Sequence, residues 1–282
     1  MTCFWNISSR LPEDCVSRVL SLTSPKDACR MLVVSTEFRI PAESNVVWDK
    51  FVPSDIVSST TLKFSSKKEL FFILSNSILI DGGYKAFALE KSTGRKSYIL
   101  SARNLSILHS DDINWTWKCI KESRFHEVAE LITVNRLEIQ GRIRTKTLSP
   151  NTNYGAYLLF KISDHAFGLD SIPCEISVTV GERILTNNTA YLRDPDDKKH
   201  QLEGLFYRNR AQLMKERVNK GDERIAQKRE DGWLEMELGE FFVGDDEISE
   251  EEITMSLMEV KGNQLKGGLI VEGIEVRPRR TN

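Results

Sequence analysis

The stretch VAELITVNRLEIQGRI, residues 128 to 143, is rich in β-branched and aliphatic side chains and carries almost no helical period. It reads as strand. Five more runs of the same character follow it: YGAYLLFKI (154 to 162), CEISVTVG (174 to 181), GWLEMELGEFF (232 to 242), ITMSLMEV (253 to 260) and GGLIVEGIEVRP (267 to 278). Turn residues separate them every dozen or so positions, a spacing that argues for an antiparallel β-sandwich. Upstream, YKAFALEK and KSYILSA alternate with period two around Ser92-Thr93-Gly94, the pattern of a hairpin. Within the strand-rich half, residues 193 to 230 stand apart. Half of them are charged, so this segment is expected to be a mobile surface insertion or an exposed helix.

The N-terminal fifth has a different rhythm. Leu11, Cys15, Val19 and Leu22 recur at helical spacing with Val16 and Leu20 beside them, forming an apolar stripe. Ser24 reads as the cap of a second helix, with Pro25 at its first position and Asp27 in its first turn. Ala28, Met31, Leu32, Ser35 and Phe38 give that helix one face. Ser44 starts a third, carrying Val47, Trp48 and Phe51 up to Pro53. Residues 53 to 66 read as a connection, and Ser66 with Glu69 as a capping box before LFFILSNSILI, taken as one further helix. A trihelical unit of this size has too little core to stand well alone, which argues that it docks on something.

The chain of 282 residues is 40% hydrophobic and 28% charged, with a net charge of −2, the balance of an ordinary globular protein with no concentrated basic face for nucleic acid. Its five cysteines form no C-x-x-C pair, so neither a disulfide framework nor a metal site is expected. The start lacks the apolar core of a signal peptide, and no run is long enough to cross a membrane as a helix, so a cytoplasmic or nuclear location is expected. The neighbours Asp111 and Asp112, or His126 and Glu127, would point apart on a strand. With no Gly-rich phosphate loop, H-E-x-x-H or G-x-S-x-G, neither catalytic residues nor a cofactor are expected.

Leu11-Pro12-Glu13-Asp14, Ser24-Pro25-Lys26-Asp27 and Val47-Trp48-Asp49-Lys50-Phe51 together resemble the F-box. That resemblance implies binding to the Skp adaptor, and through it to a cullin ubiquitin ligase, by Leu11, Pro12, Val19, Leu20 and Trp48. The second half resembles the phloem-protein-two domain of the Nictaba-like lectins. The likeness rests on SARNLSIL (101 to 108), NWTWK (114 to 118), EVAEL (127 to 131), LEIQGRIRTKTLSPNTNYGAYLLFKI (137 to 162), DGWLEMELGEFF, MSLMEV and GGLIVEGIEVRP. It implies a jelly-roll-like lectin fold and a site for N-acetylglucosamine oligomers or N-glycans. The family's two tryptophans and two glutamates fall at His109, Trp115, Glu252 and Glu259, with an imidazole standing where the lectins carry an indole. Trp117 is expected in the core. Glu259 shares strand parity with Ile253, Met255 and Leu257, an unusual place for a charge that merely solubilises.

The expected architecture is therefore α+β, with a small trihelical F-box at 1-55, a helical linker and hairpin at 56-97, and an antiparallel β-sandwich at 98-282. The expected function is a non-catalytic adaptor that selects targets for ubiquitination. A free-standing cytosolic or nuclear lectin is the alternative.

Overall fold

The computed structural model describes residues 11–59, 62–111, 113–170, 172–195, 223–245, 250–259, 261 and 264–279. The chain divides into two compact units, Met1–Ile80 with Phe87–Ser97, and Asp81–Ala86 with Tyr98–Asn282.

The first unit holds α1 (Glu13–Leu20), α2 (Pro25–Met31), α3 (Thr36–Glu43), α4 (Asn45–Trp48), α5 (Ser54–Ser59) and α6 (Lys67–Leu74). Local chemistry sets its helix starts. Ser24 Oγ accepts the Asp27 N–H at 3.1 Å, and Ser66 Oγ accepts that of Glu69 at 3.1 Å. The Glu69 carboxylate takes the Ser65 N–H at 2.7 Å, one residue ahead of the usual return bond of a capping box. Trp48 organises the core: its ring lies 5.2 Å from Phe71 and 5.7 Å from Phe51, and its Nε1–H donates to the Ala42 carbonyl at 2.8 Å. Val16, Leu20, Ala28 and Val47 are buried in the same unit.

Three expectations are corrected in this unit. The second helix is two helices, because Ser35 is fully extended (φ −158°, ψ 160°) and breaks the chain between α2 and α3. The supposed connection at 53 to 66 contains α5. The segment LFFILSNSILI is not one helix: α6 ends at Leu74, Ser77 takes φ +59°, and β1 (Ile78–Ile80) follows.

The expected hairpin forms from β2 (Lys85–Leu89) and β3 (Lys96–Ser101). Its tip closes through Glu90 N–H to Arg95 O and Gly94 N–H to Glu90 O, both 2.8 Å. Gly94 at φ +75° is required there, since a Cβ would also meet the Pro25 ring at 3.3 Å.

The second unit continues with β4 (Ser106–Ile107), β5 (Trp115–Lys118), β6 (Val128–Leu131), β7 (Leu137–Arg144), β8 (Thr152–Phe167), β9 (Cys174–Val180), β10 (Arg183–Ala190), β11 (Glu223–Arg224), β12 (Gln227–Lys228), β13 (Leu234–Val243), β14 (Glu252–Glu259) and β15 (Gly267–Pro278). One sheet runs β3-β15-β8-β13-β12, with β6 also on β15 and β5 on β6; the other runs β11-β10-β9-β14-β7-β4. Pairing is antiparallel apart from the two-residue β10–β11 ladder. This is the antiparallel sandwich that the strand runs imply. Alternate residues fill its interior: Leu137, Ile139 and Ile143 from β7, Ile176 and Val178 from β9, Ile253, Met255 and Leu257 from β14, against Leu158, Phe160, Met236, Leu269 and Ile274 of the facing sheet.

Of the charged segment 193 to 230, residues 196 to 222 lie outside those described. In the flank that is described, β11 and β12 join opposite sheets and Ala226, between them in sequence, is buried.

Candidate functional site

The first candidate surface lies on α1. Leu20 and Val16 point into the helical core, yet Leu11, Cys15, Val19 and Leu22 of the same apolar stripe face solvent, Val19 60% and Leu22 84% exposed. The stripe therefore has two faces, and only one is used internally. Pro12 is exposed as well, at the start of α1. Leu20 and Trp48, by contrast, are sealed inside, which corrects any reading of them as contact residues: they support the surface rather than form it.

The second candidate lies at one end of the sandwich, where ladder register brings several segments together. Leu108 N–H bonds Glu138 O at 3.0 Å, and Leu137 pairs across to Glu259, so the turn holding His109 sits two strands from that carboxylate. Trp115 pairs with Leu131, and three residues on Val134 exchanges both backbone hydrogen bonds with Lys266. Lys266 Nζ is ion-paired with Glu259. His109, Trp115 and Glu259 thus share one end.

Glu252 does not join them. It lies seven residues along β14 from Glu259, roughly 23 Å at strand rise and on the opposite face of the sheet. There it is exposed, opposite Arg144 and 3.7 Å from Arg142. A single sugar ring cannot span the two glutamates.

Burial decides what the shared end can do. Trp115 is wholly buried and its Nε1–H finds no hydrogen-bond partner among the described residues. Trp117, expected in the core, is instead half-buried with the Arg103 guanidinium stacked 3.5 Å from its ring and held there by Glu127 at 2.9 and 2.8 Å. The two rings are two residues apart and project from the same side of β5, so their difference is one of depth. Glu259 is only 2% exposed, as its parity implied, and Lys266 covers it while donating to Asn135 O at 2.9 Å and Gln264 O at 3.0 Å. Beside this pair, burial pushes the Cys174 thiol up to about 12, with the Glu259 charge adding to the effect.

His109 is exposed with φ +55°, and the turn it opens is fastened by Asp111, whose carboxylate accepts from Asn114 Nδ2 at 2.7 Å and from the N–H groups of Asn114 and Ile113 at 3.0 and 3.2 Å. Those hydrogen bonds, the Asn114 side chain first, hold the Asp111 carboxyl below its ordinary range.

The same end carries apolar groups that the sequence reading passed over. Ile113, Ile132, Phe167 and Leu265 are all exposed. They are neighbours: Ile132 N–H bonds Asn114 O at 2.8 Å, a Cβ on Gly267 would touch both Ile132 O and the Phe167 ring, and one on Gly168 would touch Leu265 O. Each lies in a separate loop or strand end, so no periodicity announces the cluster.

The fold and its two surfaces define a class of chain in which a small helical module precedes an antiparallel sandwich. Residues 8–48 match the F-box domain, and residues 95–278 match Phloem protein 2. The chain belongs to the Phloem protein 2 family and carries an F-box ahead of that domain. It is similar to F-box protein PP2-B13 of Arabidopsis thaliana, at 48% identity covering 95% of this chain and 98% of that one. F-box protein VBF of the same organism is 45% identical, covering 95% of this chain and 99% of its own.

Proposed function

We propose that this chain is the substrate-recognition subunit of a Skp-cullin-F-box ubiquitin ligase, working in the cytoplasm or nucleus and without catalysis of its own. The observation that carries the reading is the solvent-facing apolar surface of α1 and its flanks. Leu11 just before the helix, Val19 on it and Leu22 just after it are large apolar groups left in water by a unit with little core to spare, as a surface awaiting a partner would leave them. Skp is the partner the F-box match supports. Co-expression with Skp and a cullin, followed by size exclusion, is the test. The chain is expected to co-elute with both in equal amounts, and elution alone in the presence of excess Skp overturns the reading in favour of a lectin acting outside a ligase.

The sandwich then selects the target. N-acetylglucosamine oligomers or N-glycans are the ligands favoured by the family likeness, with His109 at the surface and Trp115 and Glu259 beneath it; Glu252 contributes separately or not at all. A sugar needs an open aromatic plate and free acceptors, so this route requires the buried Trp115 to become accessible. The cluster of Ile113, Ile132, Phe167 and Leu265 favours a second reading, in which the same end grips an apolar protein surface with no sugar involved. A glycan array separates them. Binding abolished by Trp115→Ala supports the glycan route, whereas no glycan binding together with target capture lost in Ile132→Asp supports the protein route.

A further inference from the structure

On the helical unit, away from the outward row of α1, the hairpin tip closes over α2. Lys26 N–H bonds Ser92 O at 3.4 Å, and the two segments enclose an open groove of about 500 Å³ lined by Lys26, Cys29, Arg30, Val33, Lys91 and Ser92. Its rim is cationic. Arg30 is held by Asp27 at 3.0 Å, but among the described residues neither Lys26 nor Lys91 is ion-paired, and both are exposed. Between these cations the lining is apolar, made by Val33, which is exposed, and the half-buried Cys29. Lysine ammonium groups flanking an uncharged trough match a partner with carboxylates on either side of an apolar side chain.

We infer that this groove is a second docking site of the helical unit, and that it takes an acidic peptide segment whose carboxylates meet Lys26 and Lys91 while one apolar side chain rests on Val33 and Cys29. The groove shares no residue with the outward face of α1, so its test does not depend on Skp binding.

The test uses the full chain and a fluorescent peptide of repeating Glu-Glu-Leu, read by anisotropy at low salt. Lys26→Glu with Lys91→Glu, two exposed positions whose exchange leaves the fold intact, is expected to weaken binding about tenfold, since two attractions become repulsions of similar size. Lys26→Arg with Lys91→Arg is expected to retain it. A Glu-Glu-Ser peptide should bind several-fold more weakly, and raising the salt should weaken all of these complexes. The proposal is overturned if the double reversal binds as the natural chain does, if a Lys-Lys-Leu peptide binds equally well, or if inorganic tripolyphosphate competes as effectively as the peptide, which would reduce the groove to a site for simple anions.

Discussion

On α1 and at its two ends, Val19, Leu11 and Leu22 stand in solvent while Val16 and Leu20 of the same helix are buried; at the end of β14, the charged pair Glu259 and Lys266 is closed off from solvent almost completely. The two regions invert the usual order of inside and outside in opposite directions. An apolar side chain left in water loses the gain of burial, which for a leucine or valine is about 1.5–3 kcal/mol. A buried ion pair gives up hydration that its mutual attraction only partly returns. The first arrangement makes sense if a partner completes it. The second is already complete, because all three Lys266 donors are used, on Glu259, Asn135 O and Gln264 O. The helical unit thus leaves apolar side chains in water, whereas the Glu259–Lys266 pair is satisfied within the sandwich.

The strongest disruption of this contrast comes from the helical core. Trp48→Ala should cost roughly 3–5 kcal/mol, the usual range for a buried aromatic truncated to a methyl group. In so small a unit that is enough to abolish its melting transition while the sandwich transition persists, as differential scanning calorimetry would register.

Next in size is the buried pair. Lys266→Met leaves the buried Glu259 carboxyl without its cation, and should lower sandwich stability by about 3 kcal/mol. Adding Glu259→Leu should recover most of that loss. Urea melts of the single and double variants measure it, and equal destabilisation by both would mean that Lys266 acts through its hydrogen bonds to Asn135 O and Gln264 O rather than through Glu259.

Glu259 illustrates how far a sequence carries. Its parity with Ile253, Met255 and Leu257 was enough to turn it inward, since strand geometry is strict about faces. Its partner was invisible, because a lysine in the connection between two strands reads as solvated until the bridge between Val134 and Lys266 brings it back. The helix starts at Ser24 and Ser66, the hairpin and the sandwich were legible for a similar reason: each rests on a local rule. What escaped depended on depth or on long-range register. Val19 and Leu20 are adjacent in one stripe, yet only assembly decides which goes in; Trp115 and Trp117 share a side of β5 and differ only in depth. Glu252 and Glu259 are close in sequence and belong to opposite ends of the domain.

A smaller effect should appear with acid. Burial tends to raise the Glu235 carboxyl, but the guanidinium groups of Arg277 and Arg229 outweigh it and hold the group below its ordinary range. Its folded pKa being the lower, the stability it contributes is present above about pH 4.3, where an unfolded glutamate is ionised, and fades as pH falls further. Sandwich stability should therefore drop below that pH, and less steeply in Arg277→Met. Smallest of all, Arg142→Ala should change stability by less than about 0.5 kcal/mol, since its 3.7 Å contact with the exposed Glu252 is a surface pair.

The central claim is that the outward face of α1 exists for Skp. Calorimetric titration of Skp into the full chain, natural and with Leu11→Ala and Val19→Ala together, tests it directly, with thermal melts run on the same samples. The two exposed positions should leave the melting of the helical unit nearly unchanged, within about 1 kcal/mol, because neither contributes to its core. Affinity for Skp should fall at least tenfold. A double variant that melts as the natural chain does and binds Skp with undiminished affinity would contradict the account.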